Sequence, residues 1–209
     1  MGKARKALKR VLEVVIPDRY IVWRMSGSGQ ALHLTFDDGP NPEFTPRVLD
    51  ILDELDVRAT FFLVGERAVA HPRLVSEIVH RGHSVGNHSY THRVLPELAA
   101  AEYAGEIERT KKVLSDMCGR EIRMFRPPKG LVNAGSLRYL IGGGHQVVLW
   151  SVDSLDYRRN SDDTVVRTVE TARRGGDIVL MHDDNPFTVN ALRSIITRTR
   201  ERGMGLEAL

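Results

Sequence analysis

Five short segments of the 209-residue chain carry side chains that could do chemistry. Asp37 and Asp38 stand side by side before Gly39-Pro40, a pair that ends a strand and turns the chain. Successive strand residues point to opposite faces, so adjacent carboxylates serve one site only where the backbone bends, and the Gly-Pro supplies the bend. His88 and His92 stand four apart in Gly86-Asn87-His88-Ser89-Tyr90-Thr91-His92. That spacing brings two imidazoles to one side of a helical turn or tight loop, as a divalent metal requires. Arg126 precedes Pro127-Pro128-Lys129-Gly130, and a guanidinium on a stiff backbone can pair bidentately with a carboxylate and keep it ionised. Asp153 and Asp156 follow an apolar run containing Trp150 and precede Tyr157; His182 ends the run Ile178-Val179-Leu180-Met181.

Each segment alone has an ordinary reading: a turn with helix-capping carboxylates, a surface histidine pair, a basic loop residue, a solvated strand end. What joins them is position along the chain. Short β-rich apolar runs at 31–37, 59–64, 83–87, 123–127, 146–152, 177–182 and 203–208 alternate with helical patterns at 44–55, 66–81, 95–117, 134–142, 161–174 and 186–202. Repeated βα units build parallel sheets. About seven units in a chain shorter than the ~250 residues of an eight-unit barrel predict a distorted (β/α)7 barrel related to the TIM barrel, with parallel strands and outer helices. In such barrels the chemistry sits at the C-terminal strand ends, where every polar cluster above falls.

Composition bounds the rest. With 42% hydrophobic residues and a formal charge of +3, the chain has the composition of an ordinary globular protein, and its interspersed charges demand no nucleic acid. A single cysteine, Cys118, excludes an intramolecular disulfide and a cysteine-based zinc site, so any metal must use histidine and carboxylate. Two histidines and one carboxylate with an open position suit zinc first, with cobalt or another divalent transition metal as alternatives. No apolar run reaches the ~18–20 residues of a membrane span and no secretory signal is seen, which predicts a cytoplasmic location or the inner face of the membrane. Residues 3–16 carry Lys3, Arg5, Lys6, Lys9 and Arg10 ahead of Val11, Leu12, Val14, Val15 and Ile16. They read as a helix covering one barrel end, or as peripheral contact with an anionic membrane. The expected organisation is therefore a basic extension over 1–25 and one catalytic domain over 26–209, of unassigned oligomeric state. His33, His71, His80, His83 and His145 lack motif partners and read as structural.

With these segments in place, the chain from about residue 31 onward resembles the polysaccharide deacetylase family, the carbohydrate esterases of family four or NodB homology domain. The five family motifs appear in order: Thr35-Phe36-Asp37-Asp38, His88-Ser89-Tyr90-Thr91-His92, Arg126-Pro127-Pro128-Lys129-Gly130, Asp153 to Tyr157, and Leu180-Met181-His182. The resemblance implies removal of N-acetyl groups from an N-acetylglucosamine-type poly-, oligo- or lipid-linked saccharide, with release of acetate. It makes Asp37 the general base, His182 the general acid, and Asp38, His88 and His92 the ligands of one divalent metal. Arg126 would tether Asp37, and Asp156 or Asp153 would orient His182. Leu180 would line the acetyl pocket, with Trp150, Pro127, Pro128, Lys129, Gly130 and Tyr157 facing the substrate. Two departures bear on the sugar: Lys129 stands where the family usually has Tyr, and Tyr157 where it usually has Trp. The alternatives are a deformylase or esterase on another acylated substrate, and a silent carbohydrate-binding homologue.

Overall fold

The computed structural model describes residues 17–27, 29–158 and 161–209. The basic segment 3–16 lies outside the described residues. The sheet is organised on β2 (Ala31–Asp37), buried along its whole length. A parallel strand covered on both faces has no solvent side: Leu32, Leu34 and Phe36 join the main apolar core, while His33, Thr35 and Asp37 alternate with them and are buried as well.

The other strands are β1 (Ile21–Val22), β3 (Thr60–Leu63), β4 (Ser84–Asn87), β5 (Met124–Phe125), β6 (Gln146–Val148), β7 (Val152–Asp153), β8 (Ile178–His182) and β9 (Gly205–Leu206). Their order is β1-β6-β5-β4-β3-β2-β8-β7, with β9 also pairing with β2. All these pairs are parallel. The run expected as one strand over 146–152 is two, because the chain crosses there from one side of the sheet to the other. Leu149 donates its N–H to Val22 (2.7 Å) and Ser151 to Ile178 (3.0 Å), so the crossing segment bonds to β1 and to β8 and curls the sheet into a distorted barrel. Ile21 and Val22, assigned by sequence to the extension, pair with Val147 and Val148 and belong to the barrel.

The helices are α1 (Thr45–Glu54), α2 (Gly65–Ala70), α3 (Pro72–His80), α4 (Ala100–Cys118), α5 (Ala134–Gly142), α6 (Asp162–Val169) and α7 (Pro186–Glu201). The helix expected over 66–81 breaks at His71 (φ −129°, ψ 57°), because a residue preceding proline is driven out of the α region. The helix expected from 95 begins at Ala100, after a 3-10 turn containing Pro96. Its start is fixed by the Glu102 side chain, which accepts the Ala99 N–H at 2.9 Å. Among the described residues no helix is long and apolar enough to cross a membrane.

Strand alternation gives the sheet two apolar faces. Phe61 and Leu63 pack outward with the helices, while Phe62 packs inward with Val22, Val148 and Ile178. Register then aligns the rim: Asp37 lies beside Phe62 and His182, Leu63 beside Asn87, and Asn87 beside Phe125. The residues at or just beyond these strand ends, Asp37, His88, Arg126 and His182, therefore share one level.

Candidate active site

Arg126 occupies the barrel interior, fully buried, with its guanidinium 4.0 Å from the centroid of the Phe62 ring. It donates to the carbonyls of Val148 and Leu149 (3.1 Å each), to Thr35 Oγ1 (2.7 Å) and to Asp37 Oδ1 (2.7 Å). Burying a guanidinium is costly unless its donors are matched, and among the described residues the carboxylate that accepts from it is Asp37. One Asp37 oxygen is thus committed; the other, Oδ2, lies 3.7 Å from His88 Nε2.

The next residue, Asp38, has φ 73°, so the backbone turns before Gly39. Its Oδ1 lies 3.3 Å from His88 Nε2 and 3.1 Å from His92 Nε2, yet this buried oxygen makes no hydrogen bond. Ligand atoms at the corners of a tetrahedron with bonds of ~2.0–2.1 Å stand about 3.3 Å apart, so the spacing fits three donors converging on one cation. His88 Nδ1 lies 2.7 Å from the Arg126 carbonyl; donation there leaves the Nε2 lone pair for a ligand. The donor set thus fits a divalent transition metal.

The two imidazoles differ electrostatically. Burial pulls the His88 pKa down, but Asp37 and Asp38 on either side outweigh it and raise it overall. For His92 burial prevails and, with repulsion from His88 and Arg67, lowers the pKa despite Asp38. Asp38 itself is held well below the usual carboxylate range: burial opposes this, and the His88 contact with the fields of His92 and His182 overcomes it.

His182 Nδ1 lies 2.8 Å from Asp156 Oδ1. Asp156 is fully buried and also accepts the N–H of His182 (2.7 Å), the N–H of Tyr157 (2.9 Å) and the Thr188 hydroxyl. Burial pulls the His182 pKa down, but the hydrogen bond and charge of Asp156, with Asp37 and Asp38, push it up to about 9. Of the two candidates for orienting His182, Asp156 makes the contact; Asp153 instead accepts from the Leu155 N–H (3.0 Å) and the Tyr157 hydroxyl (3.3 Å).

An open cavity is lined by Asp37, Asp38, His88, His92, Lys129, Trp150, Asp153, Leu155, Tyr157, Arg158, Leu180 and His182. Tyr157 stands edge-on to His182, ring centroids 5.5 Å apart. Pro127 and Pro128 are buried behind the wall, and Gly130 lies beneath Trp150, where a β-carbon would meet the indole at 2.7 Å. The N–H groups of Gly130 and Leu131 are donated to Pro127 and Pro128. Leu155 and Arg158 join the lining without having been singled out in the sequence. Other supporting residues were also missed: Thr35, which orders Arg126; Arg67, whose Nη1 donates to the Asp38 carbonyl at 2.5 Å; and Asp183, buried against Gly39 and accepting from Thr45. Thr35 sits inside the first motif and could have been found there; the others carry no sequence signal. His33, His83 and His145 are buried outside this cavity.

A carboxylate and an imidazole flanking a two-histidine, one-carboxylate donor set at the rim of a parallel barrel are the parts that metal-assisted hydrolysis uses. The chain belongs to the polysaccharide deacetylase family, whose sequence pattern matches residues 24–148. It is 37% identical over 174 residues to a peptidoglycan-N-acetylglucosamine deacetylase of Bacillus cereus, an alignment covering 81% of this chain and 63% of that protein. The chain thus spans less than two thirds of that relative. The crystal structure of the Bc1960 peptidoglycan N-acetylglucosamine deacetylase superposes with a TM-score of 0.86 at 33% identity, covering 91% of each chain. BA3943 of Bacillus anthracis, described as a CE4 family pseudoenzyme, superposes with a TM-score of 0.85 at 29% identity, covering 92% of this chain and 68% of that one.

Proposed function

We propose that this protein removes the N-acetyl group from an N-acetylglucosamine-type saccharide and releases acetate, using one divalent cation held by Asp38, His88 and His92. The observation that carries the reading is the register of β2 and β8, which sets Asp37 beside His182 with the three-residue donor set next to them. A pseudoenzyme shares the fold, so the fold alone does not imply turnover; this chain retains both proton-transfer groups and the complete donor set.

When bound, a cation at this position, zinc first and cobalt second, would polarise the amide carbonyl and acidify the attacking water. Asp37 takes the water's proton through Oδ2, since Oδ1 is held by Arg126. As the C–O bond forms, the N–H of Lys129 donates to the developing oxyanion, its neighbours at 130 and 131 being engaged. His182, whose Nδ1 is bound to Asp156, delivers a proton from Nε2 to the departing amine as the C–N bond breaks. Leu180 faces the acetyl methyl, and Trp150 and Tyr157 offer flat walls for the sugar. Lys129 and Tyr157 bear on which sugar is accepted more than on the reaction.

The test is acetate release from N-acetylglucosamine oligomers and from peptidoglycan, before and after chelation and after zinc or cobalt is restored. Release that chelation abolishes and metal restores is expected. No acetate from either substrate with metal present would refute the deacetylase reading, and formate from an N-formyl analogue in its place would favour the deformylase alternative.

A further inference from the structure

The loop from His88 to His92 has irregular backbone, with Ser89 at φ 65° and His92 at φ 60°. Such a segment cannot satisfy its amides in a strand ladder, so its hydrogen bonds must go elsewhere. Ser89 donates to Asn87 Oδ1 at 2.9 Å. The next two N–H groups, of Tyr90 (2.9 Å) and Thr91 (2.7 Å), both donate to Glu106 Oε2, and the Thr91 hydroxyl donates to Glu106 Oε1 at 2.7 Å. On its opposite side the loop is held by the start of α2, where Gly65 and Glu66 donate to the carbonyls of Ser89 (2.9 Å) and Tyr90 (3.0 Å). Arg109, one turn beyond Glu106 on α4, stands 3.6 Å over the Tyr90 ring.

The two histidines depend on this clamp unequally. His88 is buried, and its Nδ1 lies within hydrogen-bond distance of the Arg126 carbonyl. The His92 side chain is 34% exposed against 3% for His88, so its aim rests on the backbone that precedes it. Glu106 binds the two residues immediately before it.

We infer that Glu106 is a positioning residue that sets metal affinity by holding the His92 end of the loop in the shape that converges both Nε2 atoms on Asp38. The inference rests on the metal site proposed above. Groups that orient metal ligands from outside typically contribute about 10–100-fold in affinity.

The test is zinc binding by the metal-free full chain, measured by competition with a chromogenic chelator well below the melting temperature, with folding checked by circular dichroism. Glu106→Ala should weaken binding at least about 10-fold. Glu106→Gln should stay within about threefold of wild type, because its amide oxygen can accept both N–H groups while its NH2 donates to Thr91 Oγ1. That rescue separates hydrogen bonding from charge or bulk. Wild-type affinity in folded Glu106→Ala, or Glu106→Gln binding no tighter than Glu106→Ala, would overturn the inference. If Glu106→Ala does not fold, Thr91→Val decides, with an expected loss of about fivefold from one hydrogen bond and no loss as the contrary result. Absence of zinc binding by the wild type would instead refute the metal site itself.

Discussion

His182 is the residue whose chemistry depends most on its surroundings. In metal-free protein its raised pKa means that the folded state holds the proton more tightly than the unfolded chain. The stability gained from the His182–Asp156 pair is therefore fully present below the ordinary value of about 6.5 and is lost as pH rises through about 9. A bound cation near Asp38 would lower that value by repulsion, toward the working range of a general acid. Asp156→Asn removes the charge while nearly keeping the shape. Metal-free variant followed by NMR should titrate at least about one unit below wild type, and kcat of the metal-loaded enzyme should fall about 10²–10⁴-fold, the usual contribution of acid–base catalysis. An unchanged titration would show that Asp156 does not govern the proton. The titratable groups of this site were legible because they cluster in short motifs. The sequence left open which aspartate serves His182, since the choice depends on side-chain direction after Val152. Thr188, thirty-two positions beyond Asp156, is identified only once the start of α7 is seen to meet the Asp156 carboxylate.

At the level of elements, the site depends on strand ends meeting at one level, and glycine makes some of that contact possible. Gly86 on β4 faces the Phe62 ring, where a β-carbon would approach to 2.5 Å; Phe62 in turn supports Arg126. Gly105 on the exposed face of α4 meets nothing within 4 Å. Gly86→Ala should therefore cost about 1–3 kcal/mol by overpacking, whereas Gly105→Ala should add about 0.5–1 kcal/mol through helix propensity. Urea unfolding of the two variants measures both, and equal effects would contradict the packing described. Elements with strong periodicity or long buried runs were readable: β2, β8, α5 and α7 fall within a residue or two of expectation. The break between α2 and α3 follows from Pro72 alone. The division of 146–152 could not be read, because an apolar run looks the same whether it serves one edge of a sheet or crosses between two.

Across the whole molecule, the barrel brings five separated motifs to one cavity, and the βα periodicity with the chain length made that architecture legible before the family resemblance was drawn. What resemblance did not reveal is the scaffold behind the motifs: the two-residue β1, the crossing at 149–151, and the Glu106 clamp are consequences of closure and packing. Asp37 and Asp38 share a sequence motif, a rim and the neighbour His88, but Asp37 is the one held by Arg126 and Asp38 the one beside His92. The most direct measurement is acetate release by Asp37→Asn and by His88→Ala, with zinc content determined on the same samples. Asp37→Asn should hold zinc near the wild-type level while turnover falls at least about 10²-fold, and His88→Ala should lose both; near-normal turnover in Asp37→Asn would contradict the assignment of Asp37 as the base.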